Sequence, residues 1–240
     1  MKNIDVCLSP SLYNLHENDN SIVVVIDIIR ATTSICVAFE NGVRKIFPVK
    51  TQDEAFEHKK DGCLISGERD GYKLAGFDLG NSPYDFINED LKGKTLAMTT
   101  TNGTQAINVV GKANTLVLGS MLNFRYLAEW LIKKNKNVLL LCSGWKNKVN
   151  IEDTVFAGKF VDFLLNSNAF SSTCDSAFLV RNIYNSAKSN LFEFVVKNSP
   201  RLNSKRHFLE KDMKYCLTEQ DLQIIPIRED NYIVPEFVKN

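Results

Sequence analysis

The stretch Val23-Val24-Val25-Ile26-Asp27-Ile28-Ile29-Arg30-Ala31-Thr32-Thr33-Ser34 restricts the fold more than any other part of this chain. Its opening run of β-branched apolar residues predicts a strand buried on both faces, as in a parallel sheet covered by helices. From Ala31 to Phe39 the pattern turns helical, with Ile35, Ala38 and Phe39 at helix spacing. Asp27, Arg30, Thr32 and Thr33 therefore fall on a strand-to-helix turn. In open α/β sheets ligands bind at the carboxyl ends of strands, and a helix N-terminus there offers N–H groups and positive dipole to an anion. Two readings stand at this point: a metal or phosphate site, or an Asp that caps the helix with an Arg as its ion partner.

The rest of the chain repeats the alternation. Strands are expected at 4–8, 43–49, 64–67, 95–98, 115–118, 138–141 and 224–227. Helices are expected at 31–39, 51–60 (opened by the capping box of Thr51 and Glu54), 104–110, 124–134, 151–165, 172–188 and 191–197, with one more closing at 213–217. Pro48 places the 43–49 strand near a sheet edge. Residues 14–21 read as a polar connection and 68–80 as a loop rich in glycine and charge. The fold class is α/β: a largely parallel or mixed sheet covered by helices, with a more helical C-terminal lobe. The 240 residues form one unit, and any division into lobes falls between 145 and 146. With 29 basic and 28 acidic residues, nothing points to nucleic acid or a membrane surface. The first residues lack the apolar core of a secretory signal, and no apolar run is of bilayer length. Six cysteines without CxxC pairs argue against a disulfide framework or zinc site and fit a reducing cytoplasm.

Four polar clusters follow strand signals, and parallel strands would bring all four to one edge. The first is Asp27 to Thr33. The second runs from Gly67-Glu68-Arg69 through Asp78 to Gly80-Asn81-Ser82-Pro83, where Ser82-Pro83 also makes a good helix start. The third, Thr99-Thr100-Thr101-Asn102-Gly103-Thr104, combines hydroxyls, an amide and a glycine ahead of a helix and is the best phosphate candidate. The fourth is Cys142-Ser143-Gly144 with Glu152-Asp153 after it. Each has a plain structural account as a cap, a turn or a solvated loop. Cys142 with Lys148 six residues on resembles a cysteine-phosphatase spacing, but Lys replaces the Arg whose planar fork that chemistry uses, so Cys142 reads as a small buried hydrophobe. His16, His58 and His207 have no partner at metal-ligand spacing; His58 and His207 read as surface residues.

Taken together and in this order, the four clusters, with Ala157-Gly158 after Glu152-Asp153, resemble the 2-phosphosulfolactate phosphatase family, the magnesium-dependent phosphatases of coenzyme M biosynthesis. The resemblance spans about 4–226 and thins after Leu165, and the Lys146-Asn147-Lys148 loop lacks the glycine the family pattern leads one to expect. It implies hydrolysis of (2R)-2-phospho-3-sulfolactate to 3-sulfolactate and phosphate with Mg2+. The catalytic set is then Asp27, Arg30, Glu68 and Asp153, with Asp27, Glu68 and Asp153 as metal ligands or as holders of a metal-bound water. Arg30, Thr32, Thr33, Arg69, Asn81, Ser82, Thr100, Thr101, Asn102, Gly103 and Thr104 would bind the small anionic phosphoester. Attack by Asp27 itself and attack by metal-activated water both remain open, and a homo-oligomer is compatible. A related small phosphosulfonate or phosphocarboxylate is the alternative substrate, and a non-catalytic anion-binding protein of the same fold the alternative function. A haloacid-dehalogenase-type phosphatase would need a second Asp where Ile29 stands, and an isochorismatase-type cysteine hydrolase would need Cys142 as nucleophile.

Overall fold

The computed structural model describes residues 1–16, 20–112 and 114–236. In chain order the elements are β1 (Lys2–Cys7), β2 (Ile22–Ile26), α1 (Ala31–Glu40), β3 (Lys45–Pro48), α2 (Gln52–Lys60), β4 (Leu64–Arg69), β5 (Tyr72–Lys73), β6 (Thr95–Thr99) and α3 (Gly103–Val109). There follow β7 (Thr115–Gly119), α4 (Phe124–Lys134), β8 (Val138–Cys142), α5 (Ile151–Asn166), β9 (Phe170–Ser171) and α6 (Asp175–Ala187). The chain then runs through α7 (Leu191–Asn198), α8 (Pro200–Ser204), α9 (Arg206–Cys216), β10 (Ile225–Glu229) and β11 (Tyr232–Glu236). Short 3-10 turns at Pro10–Leu15, Pro83–Phe86 and Glu89–Leu91 complete the described chain. Of the polar connection at 14–21, residues 17–19 lie outside the described residues.

All strands join one mixed sheet in the order β5-β4-β6-β3-β11-β10-β7-β2-β8-β1-β9. It consists of two parallel sets. β4, β6 and β3 form one; β7, β2, β8, β1 and β9 form the other. The antiparallel hairpin β10–β11 sits between them, paired to β7 through Ile227 and Val117 and to β3 through Ile233 and Ile46. Three antiparallel steps separate β3 from β7, so the two sets run in opposite senses along the ladder. Their carboxyl ends nevertheless meet, as the side-chain contacts below show, which requires the sheet to turn back on itself at the hairpin. The core agrees: Val23 and Val25 of β2 share one apolar cluster with Ile46 of β3 and Leu96 and Met98 of β6, with α1 and α3 packed between.

The opening strand behaves as its composition demands. Ile22, Val24 and Ile26 enter the cluster under α4, α5 and the C-terminal helices, while Val23 and Val25 enter the cluster with α1 and α3. All five are at most 1% exposed. Each such burial stabilises the fold by about 1.5–3 kcal/mol, which makes β2 a rigid base for the residues that follow it. The helices after Leu165 do not form a core of their own, since Ala177, Val195, Leu209 and Met213 share a cluster with Ile4, Val24 and Leu140.

Three expectations need correction. The strand containing Pro48 is interior, between β6 and β11. Proline is tolerated because it is the last residue of β3, beyond the single Ile46–Ile233 pair with β11. Second, β11 was not anticipated. Asp230, with φ of 50°, and Asn231 link Glu229 to Tyr232 in a two-residue hairpin, a turn that Asp and Asn make readily because they tolerate positive φ. Third, Glu68 and Arg69 are not in a loop but end β4, and Asp70-Gly71, at φ of 55° and 96°, turn the chain straight into β5. Asp-Gly is among the strongest hairpin signals, and the glycine supplies the second positive φ at no steric cost. Among the described residues no helix is long and apolar enough to cross a membrane.

Candidate active site

Asp27 is the first residue after β2. Its backbone N–H donates to Thr32 Oγ1 (3.3 Å), the Thr32 N–H donates back to the Asp27 carbonyl (2.9 Å), and Thr33 Oγ1 donates to the Ile28 carbonyl (2.8 Å). Both threonine side chains are fully buried. Sequence reasoning gave Thr32 and Thr33 to the substrate; the structure uses their hydroxyls to close the turn that presents Asp27.

Asp27 lines a narrow cavity of about 30 Å3 together with Arg30, Glu68, Asn81, Asn102 and Glu152. Trp145, Asn150, Arg201 and Lys205 also line it. Glu68 accepts from Gly71 N at Oε2 and from Thr101 N at Oε1, both at 2.7 Å, so it ties the β4–β5 hairpin to the third cluster. Arg30 donates to Asp212 Oδ2 at 2.5 Å and to the Gly71 carbonyl at 2.7 Å. Asp212 also accepts from Ser82 Oγ at 2.8 Å, so α9 is clamped to both the first and second clusters. Ser82 opens the Pro83–Phe86 turn as its sequence predicts, and its hydroxyl serves Asp212 rather than the cavity.

Of the Glu152-Asp153 pair, it is Glu152 and not Asp153 that lines the cavity. Asp153 is fully buried and does not line the cavity. Its Oδ1 accepts from Ile28 N (3.0 Å), and its Oδ2 accepts from Gly144 N (3.2 Å) and Asn150 Nδ2 (2.8 Å). It therefore fastens the β2 and β8 turns to the start of α5. The neighbouring Glu152 lines the cavity, pairs with Arg201 and accepts from Asn150 Nδ2 at 3.1 Å. Helical geometry turns adjacent side chains about 100° apart, so Glu-Asp in sequence did not say which carboxylate faces inward.

The third cluster splits. Asn102 lines the cavity and its Oδ1 accepts from Lys146 N at 2.9 Å, docking the Lys146-Asn147-Lys148 loop that departs from the family pattern. Thr100 and Thr104 bond each other across the start of α3. Thr100, Thr101, Thr104 and Arg69 line a separate cavity with Lys50, and Arg69 donates to the Glu68 carbonyl and to Thr99 Oγ1. Gly103 is needed for space: a Cβ there would lie 2.6 Å from Ala31 Cβ and 2.7 Å from Asp27 Oδ2. Asp78 takes the Ile65 N–H and pairs with Lys59, remote from the cavity lining. Cys142 is fully buried, and burial pushes its thiol well above the ordinary range. His58 stacks on Phe47, and His207 is exposed beside Phe208.

Sequence reasoning gave Glu152, although part of the fourth cluster, no role at the site, and likewise Asn150, Trp145, Arg201, Lys205 and Asp212. The last three come from α8, α9 and the junction between them; Lys205 and Asp212 lie about 130–185 positions from the residues they meet and Arg201 lies 49 from Glu152, separations at which local pattern does not say which residues will meet.

Burial, then the charges of Glu68 and Glu152, push the Asp27 carboxyl up to about 7. Burial, Asp27 and Glu152 push Asp153 well above the carboxylate range. Burial also pulls the Lys205 ammonium below its ordinary value, against the pull of Asp70 and Glu68. Among the described residues, five buried side-chain atoms find no hydrogen-bond partner: Asn81 Oδ1, Thr101 Oγ1, Ser143 Oγ, Asn150 Oδ1 and Glu152 Oε2. Asn81, Asn150 and Glu152 line the cavity, and the other two adjoin residues that do. Unsatisfied buried oxygens are expensive, and their concentration around one cavity marks a place where a ligand completes them.

A rigid α/β frame that gathers three carboxylates, three cations and unsatisfied oxygens around one small cavity is that of an enzyme for a compact, highly charged substrate. The family model described as 2-phosphosulpholactate phosphatase matches residues 7–231. Relatives named "Probable 2-phosphosulfolactate phosphatase" include one from Thermotoga maritima, 37% identical over 218 residues, covering 89% of this chain and 92% of the relative. One from Caldanaerobacter subterraneus subsp. tengcongensis is 35% identical over 208 residues, covering 85% and 86%. One from Clostridium novyi is 34% identical over 226 residues, covering 93% and 95%. This chain belongs to the 2-phosphosulpholactate phosphatase family, a family of phosphoric monoester hydrolases.

Proposed function

We propose that this protein hydrolyses 2-phospho-3-sulfolactate to 3-sulfolactate and phosphate, with Mg2+ held at the Asp27–Glu152 end of the cavity. The observation that carries the reading is Glu152 Oε2, buried and without a partner beside Asp27 and Glu68. A carboxylate oxygen, two amide carbonyl oxygens and a raised carboxyl make a hard, oxygen-only donor set, which suits Mg2+ and not a metal that prefers thiolate or imidazole. Among the described residues no three His, Cys, Asp or Glu side chains form a ready cage. Mg2+ takes one or two carboxylates and leaves its other positions to water and substrate phosphate. Glu152 and Asp27 would hold it, with Asn150 beside them and Glu68 bordering the same space. When bound, the ion would neutralise charge on the phosphoryl oxygens and acidify a coordinated water.

The chain's own residues then divide the remaining work. Burial and the charges of Glu68 and Glu152 raise the Asp27 carboxyl to about 7 in the metal-free site, and a cation held there would draw it into the charged form that ligation or attack requires. Asp153 fixes the Ile28 and Gly144 backbone on either side of Asp27. Arg30, locked by Asp212 and the Gly71 carbonyl, presents positive charge toward the phosphate from a preorganised position. The stereochemical course at an isotopically chiral phosphate ester separates the two mechanisms: attack by Asp27 followed by water gives net retention at phosphorus, and direct attack by water gives inversion.

A cytoplasmic setting accompanies the reading, and all six cysteines are unpaired thiols. Phosphate release from 2-phospho-3-sulfolactate and a panel of phosphoesters, with and without Mg2+, tests the proposal. We expect turnover that EDTA abolishes and that thiol alkylation of folded protein leaves intact. Full activity in excess EDTA, or loss of activity on alkylation without unfolding, would overturn it.

A further inference from the structure

We propose that Lys205 is the specificity-determining residue of the cavity and binds one of the two acid groups that the substrate carries besides its phosphate, the carboxylate or the sulfonate. The inference rests on the phosphatase reading for its substrate and on charge pairing for its argument.

Three cations line the cavity, and two are already matched. Arg30 pairs with Asp212 and Arg201 pairs with Glu152. Lys205 has no carboxylate within ion-pair distance among the described residues; its ammonium donates to the carbonyl of Asp70 at 2.6 Å. The nearby Asp70 carboxylate is taken by Lys146 at 3.3 Å. A partly buried ammonium whose partner is a neutral carbonyl is under-compensated, and an entering anion is what such a group attracts.

Its position is also fixed. Lys205 lies at the junction of α8 and α9, and its carbonyl accepts the N–H groups of Phe208 and Leu209. Its ammonium lies 5.1 Å from the Trp145 ring centre, on a platform that Arg201 shares at 4.6 Å. Aromatic faces hold cations without neutralising them, so the charge stays available. The neighbouring basic residues do not share the role: Arg206 pairs with Glu210, and His207 is exposed.

The charge arrangement explains why a second anion is needed. The cavity carries Asp27, Glu68 and Glu152, which repel an anionic substrate unless a metal ion offsets them. The phosphate belongs beside these carboxylates, with the metal. Lys205 reaches the cavity from the junction of α8 and α9, beside Trp145, and its unmatched charge is available to an acid group that the metal end does not take. A sulfonate and a carboxylate offer the same chemistry here, three or two oxygens sharing one negative charge.

The test compares Lys205→Met and Lys205→Arg with wild type, and uses Arg206→Met as a control outside the cavity. Steady-state kinetics are read on 2-phospho-3-sulfolactate, 2-phospholactate, the phosphate ester of 2-hydroxyethanesulfonate, and p-nitrophenyl phosphate, which has no second acid group. Lys205→Met should raise KM about tenfold or more for substrates that carry the group Lys205 binds, with kcat changed far less. The fall in kcat/KM should be at least about tenfold smaller on p-nitrophenyl phosphate, and Lys205→Arg should recover most of the loss. The carboxylate-only and sulfonate-only substrates reveal which acid is held. Calorimetric titration with 3-sulfolactate, which lacks phosphate, reads the same site without catalysis and should show the same loss. Equal losses on all four substrates, or unchanged kinetics and unchanged 3-sulfolactate binding in Lys205→Met, would overturn the assignment. If wild type binds 3-sulfolactate through Lys205 but hydrolyses no phosphoester, the phosphatase reading fails and the anion site stands.

Discussion

Replacing Asp27 by asparagine in the metal-free protein separates a catalytic carboxylate from a structural one. Burial, Glu68 and Glu152 push this carboxyl from 3.8 to about 7. Between those values the folded protein holds a proton that the unfolded chain has released. Stability from this group therefore falls as pH rises through that window, and the full penalty is present above about pH 7. A gap of about 3 pH units at ~1.36 kcal/mol each sets the penalty near 4 kcal/mol as an order of magnitude. Asparagine keeps the shape and the acceptor oxygen that takes the Ala31 N–H, and it removes the charge. In EDTA at about pH 8 we expect Asp27→Asn to be more stable than wild type by roughly 2–4 kcal/mol, a Tm higher by about 5–15 °C for a chain of this size. Near pH 4 the advantage should vanish. The same preparation, given Mg2+ and substrate, should lose at least about a hundredfold in kcat. Scanning calorimetry across that pH range, with phosphate release on the same samples, reads both. If Asp27 served chiefly as a helix cap, the variant would melt lower at pH 8 and keep its turnover, and the reasoning would be refuted. The structure already removes half of that account, because Arg30 pairs with Asp212 and not with Asp27.

Asp212→Asn leaves the buried Arg30 guanidinium without its carboxylate and should destabilise the protein by about 3 kcal/mol in urea unfolding, with a raised KM as the Gly71 hairpin loses its anchor. A change below about 0.5 kcal/mol would show the pair to be dispensable. Gly103→Ala drives a methyl group against Ala31 and the Asp27 carboxylate, so it should cost about 1–3 kcal/mol in thermal unfolding and reduce kcat. A fully active, equally stable Gly103→Ala protein would mean that the start of α3 has slack the structure does not indicate.

Short-range pattern determined much of this protein. The β-branched run of β2 dictated burial on both faces, because alternate side chains leave the strand on opposite sides and none of these is polar. Placement of Asp27, Glu68 and Asn102 just after or at the ends of strands followed from the switch between strand and helix periods. What tertiary structure decided is which of those residues face the cavity. Thr32, Thr33 and Asp153 were read as site residues, yet their oxygens close backbone turns, and a residue type at a strand end does not say whether its partner is a ligand or the chain itself. The reversal of the two parallel sets depends on a C-terminal hairpin distant in sequence from both. Lys205, Arg201 and Asp212 reach the cavity because α8 and α9 pack over strand ends formed by the first hundred residues. Apolar packing places those helices, and it acts between segments whose sequences carry no record of each other.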